Sequence, residues 1–438
     1  MITFLISAIK IIFLLGFLIF IHEFGHFAVA KLCNVKINEF AIGFGPTIWK
    51  KQGKETKYAL RLVPLGGFVS MEGEEERSED NRSFSKASIP KRIAIVIAGA
   101  TVNIIFGALV YFIVMSISQT YITNEVDNLI NGYAAKSIGI KEGDKIVELN
   151  NKKVKNKYDL NKIMKKQNGE EINVKIDRNG EIIEYKIKPT EIKNKVTGMY
   201  LDKKGKVTAV EKNSSSQRQG IQVNDRIIKI NDEEINGNTQ KAIEIIQQKG
   251  LNTMLITLQR GKKEIKIELT PDYESTYYLG VNLKQSPNTF INHCIYGGIE
   301  TKEFLFSIID NLKQLFTGNV GVDQMMGPVG ISEVVAKTDG IKDFIYMLAL
   351  ISLSLGITNL LPIPALDGGK ILLLIIEAIR RKPLDEKIEI DIQLIGFSIL
   401  IGLSLYITYN DILRLWWMTN QGHFLIGHFC PIWFLIGH

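Results

Sequence analysis

Four long apolar runs divide the chain, and each is long enough to cross a bilayer, which requires roughly 20 mostly apolar residues. They occupy residues 2–21, 93–118, 344–366 and about 392–410. The second and third runs contain no charged residue, and the first contains only Lys10. A cleaved signal peptide is the alternative for the first run, but its apolar stretch is too long and no small-residue cleavage site follows it. The pattern therefore predicts four transmembrane segments.

Basic residues predict the orientation of these segments, because short cytoplasmic loops are rich in Lys and Arg. Many such residues lie between positions 31 and 92, and more lie between 380 and 387, whereas none precedes the first run. Both of these loops are therefore expected in the cytoplasm. Both termini, and the long region between the second and third runs, are expected outside it.

That long region contains an internal duplication. The stretch AAKSIGIKEGDKIVELNNKKV, which begins at Ala134, aligns with SSQRQGIQVNDRIIKINDEEI, which begins at Ser215. Each copy places short helical and turn segments around alternating apolar and polar positions such as Lys-Ile-Val-Glu-Leu, which is the pattern of half-buried strands. Two copies predict a pair of tandem α+β domains and not a solenoid, which needs more repeats.

Three other regions lie between the apolar runs. Residues 35–71 alternate and carry the turn signals Gly-Phe-Gly-Pro and Pro-Leu-Gly-Gly, which predicts β-hairpins on the cytoplasmic side of the membrane. The polar segment 72–88 is expected to be mobile. Residues 288–317 mix apolar and charged positions, and both a helix along the membrane surface and a buried connector helix fit them.

The predicted fold class is thus a polytopic α-helical membrane protein with a membrane-associated β-hairpin region and two extracytoplasmic PDZ-like α+β domains. The expected parts are a first transmembrane segment (1–34), a hairpin region (35–89), a second transmembrane segment (90–118), two domains (119–192 and 193–285), connector helices (286–343), a third transmembrane segment (344–379), a cytoplasmic loop (380–391), a fourth transmembrane segment (392–415) and an apolar tail (416–438).

Composition narrows the function classes. With 46% apolar residues over 438 positions, the chain is too long and too apolar for a disordered or fibrous protein. The net charge of +7 is a weak nucleic-acid signal, but the charges are crowded between long uncharged runs, as in a membrane protein with polar loops. The three cysteines, Cys33, Cys294 and Cys430, are too few and too scattered for a disulfide framework or a zinc ribbon.

The strongest chemical signal is the sequence His22-Glu23-Phe24-Gly25-His26, which closes the first apolar run. Four residues turn a helix by about 400°, so the two imidazoles project from nearly the same face. Placed in this way they can reach one Zn²⁺, and Glu23 is the neighbouring carboxylate that can take a proton from the attacking water. Such polar residues at the end of a membrane segment are costly unless they are used or paired. The motif therefore predicts a metal site.

A catalytic zinc site keeps three protein ligands and one open position, so a third ligand is needed. The candidate is Asp367 in the sequence NLLPIPALDGG, in which Pro362 and Pro364 break the helix. Irregular backbone at membrane depth is tolerated only where it is buried or lines a polar cavity. The alternative is that Asp367 merely caps the helix that follows it. The broken helix and the missing ligand favour the metal.

Asn359 opens the same broken segment. Its amide could donate a hydrogen bond to a substrate carbonyl or to a tetrahedral oxyanion. An Asn that ends a helix and is satisfied by backbone groups explains the residue equally well.

Together these motifs resemble the site-2 protease family of intramembrane zinc metalloproteases, and most closely its bacterial, RseP-like branch with two PDZ domains. The resemblance rests on HEFGH, NLLPIPALDGG and the PDZ-like duplication. It is supported by the sequence GFGP from Gly43, the sequence PLGGFV from Pro64, Asn103 in the second run and the sequence GPVGI from Gly327. It covers about residues 1–415.

The resemblance implies that His22, His26 and Asp367 bind zinc and that Glu23 is the catalytic base. It also implies that an extended substrate pairs with the hairpin region, which agrees with physics, because a transmembrane helix must unwind before cleavage and a strand edge offers replacement hydrogen bonds. The implied substrate-binding residues are Asn359, Pro362, Pro364, Gly43, Gly45, Gly66 and Gly67.

The expected function is cleavage within transmembrane segments of proteins already shortened outside, such as anti-sigma factors or signal-peptide remnants, at the bacterial inner membrane. Neither copy of the duplication shows a clear Gly-Leu-Gly-Phe loop, so steric exclusion of untrimmed substrates is expected of the PDZ-like domains rather than peptide capture. Membrane lipid is an expected partner and nucleic acid is not. The alternatives are a non-catalytic scaffold with a closed structural metal, and a metal transporter, which would need more intramembrane polar ligands.

Overall fold

The computed structural model describes residues 2–420, except 75, 77, 203–204, 236, 248–252, 262, 318–325 and 339. Residues 421–438, which include Cys430 and most of the predicted tail, lie outside the described part. The chain forms two compact units. One unit consists of Thr120–Asn292, and the other contains the segments before and after it.

Four helices of the described chain are long and apolar enough to span a membrane, which confirms the predicted number. They include most of α1 (Ile2–Leu32), all of α2 (Ile89–Ser116) and α9 (Gly340–Asn359), and most of α11 (Glu386–Asn420). The third is shorter than its apolar run, because the chain leaves the helix at Asn359 and only resumes it in α10 (Asp367–Arg380).

Small residues let these helices approach closely. A methyl group built on Gly25 of α1 would lie 2.6 Å from the carbonyl oxygen of Ala98 in α2, and one on Gly107 of α2 would lie 2.8 Å from Leu353 of α9. Membrane helices use small residues in this way because their association depends on close van der Waals packing. The buried core between them includes Leu14, Tyr111 and Leu353.

Two further helices belong to this unit. Helix α7 (Phe290–Phe316) buries Phe304, whose ring stacks on Tyr111 with centroids 4.8 Å apart, so this part packs as a connector against the bundle. Helix α8 (Pro328–Ala336) begins at a buried carboxylate. Asp411 of α11 accepts backbone hydrogen bonds from Gly327 at 3.0 Å and from Gly330 at 2.7 Å.

The predicted hairpin region is built from β1 (Ile37–Gln52) and β2 (Lys57–Met71), and both strands bend, so that residues 39–42 of β1 pair with residues 67–70 of β2 on one side and with residues 57–60 on the other. Its register is irregular, and Gly43 and Gly45 of β1 have φ angles of +88° and +81°, which favour glycine. The polar segment after β2 is fixed to the start of β1, contrary to the expected mobility. The backbone N–H of Glu72 donates to Lys36 O at 2.9 Å, and that of Phe84 donates to Glu72 O at 2.7 Å.

The second unit contains the duplicated region. Its helices are α3 (Ala134–Ser137), α4 (Lys157–Met164), α5 (Ser215–Arg218) and α6 (Thr239–Gln247). Its strands are β3 (Ile122–Leu129), β4 (Lys145–Leu149), β5 (Lys152–Lys153), β6 (Ile172–Arg178), β7 (Glu181–Ile187), β8 (Thr190–Val196), β9 (Met199–Leu201), β10 (Val207–Val210), β11 (Arg226–Ile230), β12 (Glu233–Glu234), β13 (Met254–Arg260), β14 (Lys263–Leu269), β15 (Asp272–Tyr278) and β16 (Val281–Gln285).

Equivalent hydrogen bonds show how the two copies correspond. In the first copy the N–H of Ala135 donates to Leu279 O and that of Ile130 donates to Gly280 O, at 3.0 and 2.9 Å. In the second copy the N–H of Ser216 donates to Thr197 O at 3.0 Å, and the N–H of Glu211 donates to Gly198 O. The edge strand of the first copy is therefore β16, which pairs with β3, and its counterpart in the second copy is β9, which pairs with β10.

The second copy is consequently inserted within the first, and the two are not simply consecutive. The division expected from sequence places β16 in the second domain, but this strand completes the sheet of the first, in the order β16-β3-β4-β6-β7. Strands β8 and β15 pair with each other along the two connections between the copies. The alignment misses this arrangement because the closing strands lie outside the aligned stretch.

A buried ion pair recurs in both copies. Arg178 contacts both carboxylate oxygens of Asp144, at 2.7 and 2.8 Å, and Arg260 does the same with Asp225, at 2.7 and 2.6 Å. Burial alone would raise the pKa of Asp144, but hydrogen bonds from Arg178 and from the Lys141 backbone outweigh it and hold that pKa below its ordinary value. The stabilisation from Asp144 is therefore present above the pKa of the unfolded carboxyl and is lost as the pH falls through the folded pKa.

Replacing Arg178 with Leu should destabilise the first copy by about 3 kcal/mol, because the buried charge of Asp144 would lose the cation that pairs with it. Hydrogen exchange of β4 and β6 in the full-length protein measures this effect. The control is Lys193→Leu, which removes the exposed partner of Glu191 and should change stability by less than about 0.5 kcal/mol. Equal exchange in the two variants would contradict a stabilising role for the buried pair.

Candidate metal centre and active site

The C-terminal part of α1 carries His22, Glu23 and His26 within about one helical turn. The Nε2 atoms of the two histidines lie 3.2 Å apart. Asp367, the first residue of α10, brings its Oδ2 to 3.3 Å from Nε2 of His22 and 3.6 Å from Nε2 of His26. Residues from opposite ends of the chain thus meet around one point.

This arrangement fits a divalent metal ion. Bonds of about 2.0–2.1 Å in a tetrahedral zinc site place neighbouring ligand atoms roughly 3.3 Å apart, close to the three separations observed. Oδ2 of Asp367 is buried and has no hydrogen-bond partner, as expected of an oxygen that binds a cation. Among the described residues this is the one cluster of three such ligands that converge.

The loop before α10 positions Asp367. Ala365 has a φ of +74°, which is unusual for a residue other than glycine, and its N–H donates to the Gln393 side chain of α11 at 2.6 Å. The two glycines that follow Asp367 let α10 pack under this loop, since a methyl group on Gly369 would lie 2.3 Å from Ile363 O. Gln393 was not among the residues singled out from sequence.

A buried ion pair holds α10 against α2. The two terminal nitrogens of the Arg92 guanidinium, Nη1 and Nη2, donate to the carboxylate of Glu377, at 3.1 and 2.5 Å, and both side chains are largely buried. Paired Arg–carboxylate hydrogen bonds fix orientation as well as distance. The pair therefore ties the helix that begins with Asp367 to the helix that packs against His26.

The second nitrogen of each histidine has a partner on α2. Nδ1 of His26 lies 2.9 Å from the backbone oxygen of Ile95, and Nδ1 of His22 lies 3.4 Å from Nδ2 of Asn103. Gly99 makes room for the His26 ring, because a methyl group there would lie 2.3 Å from Nε2. Such partners fix the tautomer and the orientation of metal-binding histidines.

The surroundings of the Asn103 amide indicate which of its two ends faces Nδ1 of His22. Asn103 is fully buried, and its Oδ1 has no hydrogen-bond partner. A histidine that binds a metal through Nε2 carries its proton on Nδ1, so the partner of Nδ1 must be an acceptor. Exchanging the amide O and N, which have nearly the same shape, would give Oδ1 that proton and remove the orphaned acceptor.

A pocket opens beside the cluster. Val69 and Met71 of β2 line it, and a methyl group on Gly67 would lie 3.2 Å from Cγ of Glu23, so β2 runs close against the turn of α1 that carries Glu23. The other lining residues are His22, Glu23, His26, Glu74, Val96, Asp367 and Lys370. Glu74 and Lys370 were missed by the sequence reasoning, and the only signal was their proximity to β2 and to Asp367.

Several predicted substrate-binding residues do not line this pocket. Gly43 and Gly45 shape the irregular strand β1, and Gly66 faces the ring of Phe44 so closely that a methyl group would overlap it. Asn359 ends α9, and Pro362 and Pro364 belong to the loop that follows, where Pro364 packs on Gly396. Their role in substrate binding remains a prediction.

Comparison with known proteins identifies the family. The model of peptidase family M50 matches residues 10–403. A protein of Clostridium acetobutylicum named as a zinc metalloprotease is 32% identical over 91% of this chain and 94% of its own length. A regulator of sigma E protease of Haemophilus influenzae is 27% identical over 94% of this chain and its whole length.

The chain therefore belongs to peptidase family M50, and it is a metalloprotease of the site-2 type, as its motifs predicted. Solved PDZ domains are among the structural neighbours. The PDZ domain of HtrA3 with a phage-derived ligand matches with a TM-score of 0.18 and 20% identity, over 20% of this chain and 93% of that one.

Replacing Gly99 with Ala should displace His26 and lower the metal content of the purified protein at least tenfold. The added methyl group has no space beside the imidazole, although Ala is otherwise the better helix former by about 1 kcal/mol. Metal analysis of the membrane-extracted protein measures the effect. Gly402→Ala in α11 is the control, since nothing lies within 4 Å of its added methyl. Wild-type metal content in the Gly99 variant would refute the close packing described here.

Proposed function

We propose that this protein hydrolyses peptide bonds within transmembrane segments of membrane proteins whose external part has already been removed. The observation that carries the proposal is the convergence of His22, His26 and Asp367 beside Glu23, at the end of a membrane-length helix. We assign the three ligands to one Zn²⁺. The names of the relatives support zinc as the metal.

Each residue of the site has a distinct task. When bound, zinc would supply a Lewis acid that polarises the scissile carbonyl and lowers the pKa of water. Glu23 accepts a proton from the attacking water and returns it to the nitrogen of the departing chain. Asn103 and the carbonyl of Ile95 hold the two imidazoles in the orientation that presents Nε2.

Strand β2 is the proposed docking edge for substrate. The last part of β2, residues 67–71, pairs with β1 along one edge and has no second strand partner among the described residues, and its Val69 and Met71 line the pocket. A transmembrane helix satisfies its own backbone, and it must lose these hydrogen bonds before a peptide bond can reach Glu23. An unpaired strand edge supplies replacements.

The substrate class follows from the chemistry and the relatives together. The pocket combines apolar side chains with a hydrolytic site at membrane depth, which suits a helical membrane segment that unwinds locally. One relative is named for regulating sigma E, which favours anti-sigma factors, and signal-peptide remnants are the second class. The basic loops favour a site near the cytoplasmic face of the bacterial inner membrane, with the duplicated unit outside.

Replacing Glu23 with Gln should abolish cleavage, with a loss of at least a hundredfold, while the fold and the metal content remain. The amide keeps the shape of the carboxylate but cannot accept the proton. The assay is cleavage of a model transmembrane substrate in proteoliposomes, with zinc analysis of the same samples. Glu79→Gln, which alters a fully exposed carboxylate, is the control. Full turnover by the Glu23 variant would refute its role, and metal without product in the wild type would favour a scaffold.

Replacing Asn103 with Leu should lower zinc affinity by about 10–100-fold, because His22 would lose the partner of its Nδ1. Asn103→Asp keeps an acceptor and should retain more affinity than the Leu variant. Competition with a chelator measures both. Ser354→Ala, which removes a buried hydroxyl from α9, is the control. If the Leu variant bound zinc as tightly as the wild type, Asn103 would have no orienting role.

A further inference from the structure

Lys370 is the one cation among the residues that line the described pocket. It lies three residues after Asp367 in α10, and residues with this spacing share one face of a helix. The other polar lining groups are imidazoles and carboxylates, all of which are metal ligands or acceptors at this site. Among the described lining residues, Lys370 is therefore the one side chain that brings a positively charged N–H donor.

The ammonium group of Lys370 is held but not saturated. Its Nζ lies 2.9 Å from Oε1 of Glu74, which occupies one of its three donors. No second acceptor for Nζ is recorded among the described residues. Glu74 is itself placed by the turn after β2, in which Gly73 has a φ of +72° and the N–H of Glu74 donates to Met71 O at 3.3 Å.

Hydrolysis of a peptide bond is helped by a hydrogen-bond donor beside the carbonyl oxygen. As water adds to a peptide carbonyl, the electron pair of the C=O π bond moves onto the oxygen, which becomes negatively charged. Donors that are already in place stabilise this charge without reorganisation, and loss of one costs about 10²–10³ in kcat. The position of Asn359 in the sequence suggested it as the donor to the oxyanion, but Asn359 is not among the residues that line the pocket.

We propose that Lys370 is a further catalytic residue, which donates a hydrogen bond to the carbonyl oxygen of the scissile bond as that oxygen gains charge. This inference rests on the proposed protease function of the same site. The water oxygen bonds to the carbonyl carbon while Glu23 takes one of its protons. The C–N bond then breaks, the nitrogen takes that proton from Glu23, and Lys370 stays protonated throughout.

Lys370→Met is the central test, because Met has a similar length and no donor. Its kcat for a model transmembrane substrate in proteoliposomes should fall about a hundredfold or more, with KM within about threefold of wild type and the zinc content unchanged. Lys370→Arg keeps donors at this position and should recover at least a tenth of the wild-type kcat. Asn359→Leu, assayed alongside, should lower kcat less than Lys370→Met does.

Glu74→Gln separates the ammonium from the ion pair. It removes the carboxylate but leaves Lys370 able to donate, so kcat should fall much less than it does in Lys370→Met. A loss as large as that of Lys370→Met would show that the ion pair matters and would overturn the proposal. Loss of zinc or of thermal stability in Lys370→Met would also overturn it, by revealing a structural role.

The result can be separated from a failure of the proposed function. If wild type cleaves and Glu23→Gln does not, while Lys370→Met keeps the wild-type kcat, only the role of Lys370 is refuted. If wild type does not cleave the substrate, the proposed function itself is wrong, and if Glu23→Gln still cleaves it, the role assigned to Glu23 is wrong.

Discussion

The constraint on which this structure depends is the cost of polar groups in an apolar helix bundle. Two imidazoles and two carboxylates lie at the end of α1 and the start of α10, where unpaired polar groups would be expensive. Both imidazoles are given a partner by a neighbouring element, and Asp367 is turned toward them. The backbone oxygen of Ile95, the amide of Asn103 and the Arg92–Glu377 pair all come from or join α2, so this helix organises the site without contributing a ligand.

The break between α9 and α10 follows from the same constraint. A continuous helix through residues 360–366 would bury its backbone bonds but would carry Asp367 onward along the helix axis. The prolines end the helix, the strained Ala365 turns the chain, and Gln393 satisfies an N–H that the turn exposes. Irregular backbone is tolerable here because the neighbouring helix supplies the missing acceptor.

Much of this site was predictable because its signals are local. The spacing of four residues places His22 and His26 on one face of any helix that contains both. An Asp that follows an apolar run broken by prolines is rare enough to stand out. The contacts that hold these residues were not predictable, since unrelated segments separate Asn103 from His22, Gln393 from Ala365 and Arg92 from Glu377. A single sequence carries no record of which buried amide faces which imidazole. The mobility expected for residues 72–88 failed for a related reason, because polarity alone does not reveal backbone hydrogen bonds to Lys36.

The duplicated unit shows the same limit at the level of topology. The repeat was visible in the sequence because the aligned stretches include the Asp144 and Asp225 positions. The closing of the first sheet by β16 was not visible, because it depends on pairing between residues about 150 positions apart, such as Asn128 and Asn282.

Insertion of one copy in the other has a physical consequence. The two ends of the unit are joined, since the N–H of Ser286 donates to Tyr121 O at 2.9 Å and the hydroxyl of Thr120 donates to Ser286 O at 3.1 Å. Because β16 can reach β3 only after the second copy is complete, the first copy cannot close its sheet until the whole insertion has been synthesised, which couples the folding of the two.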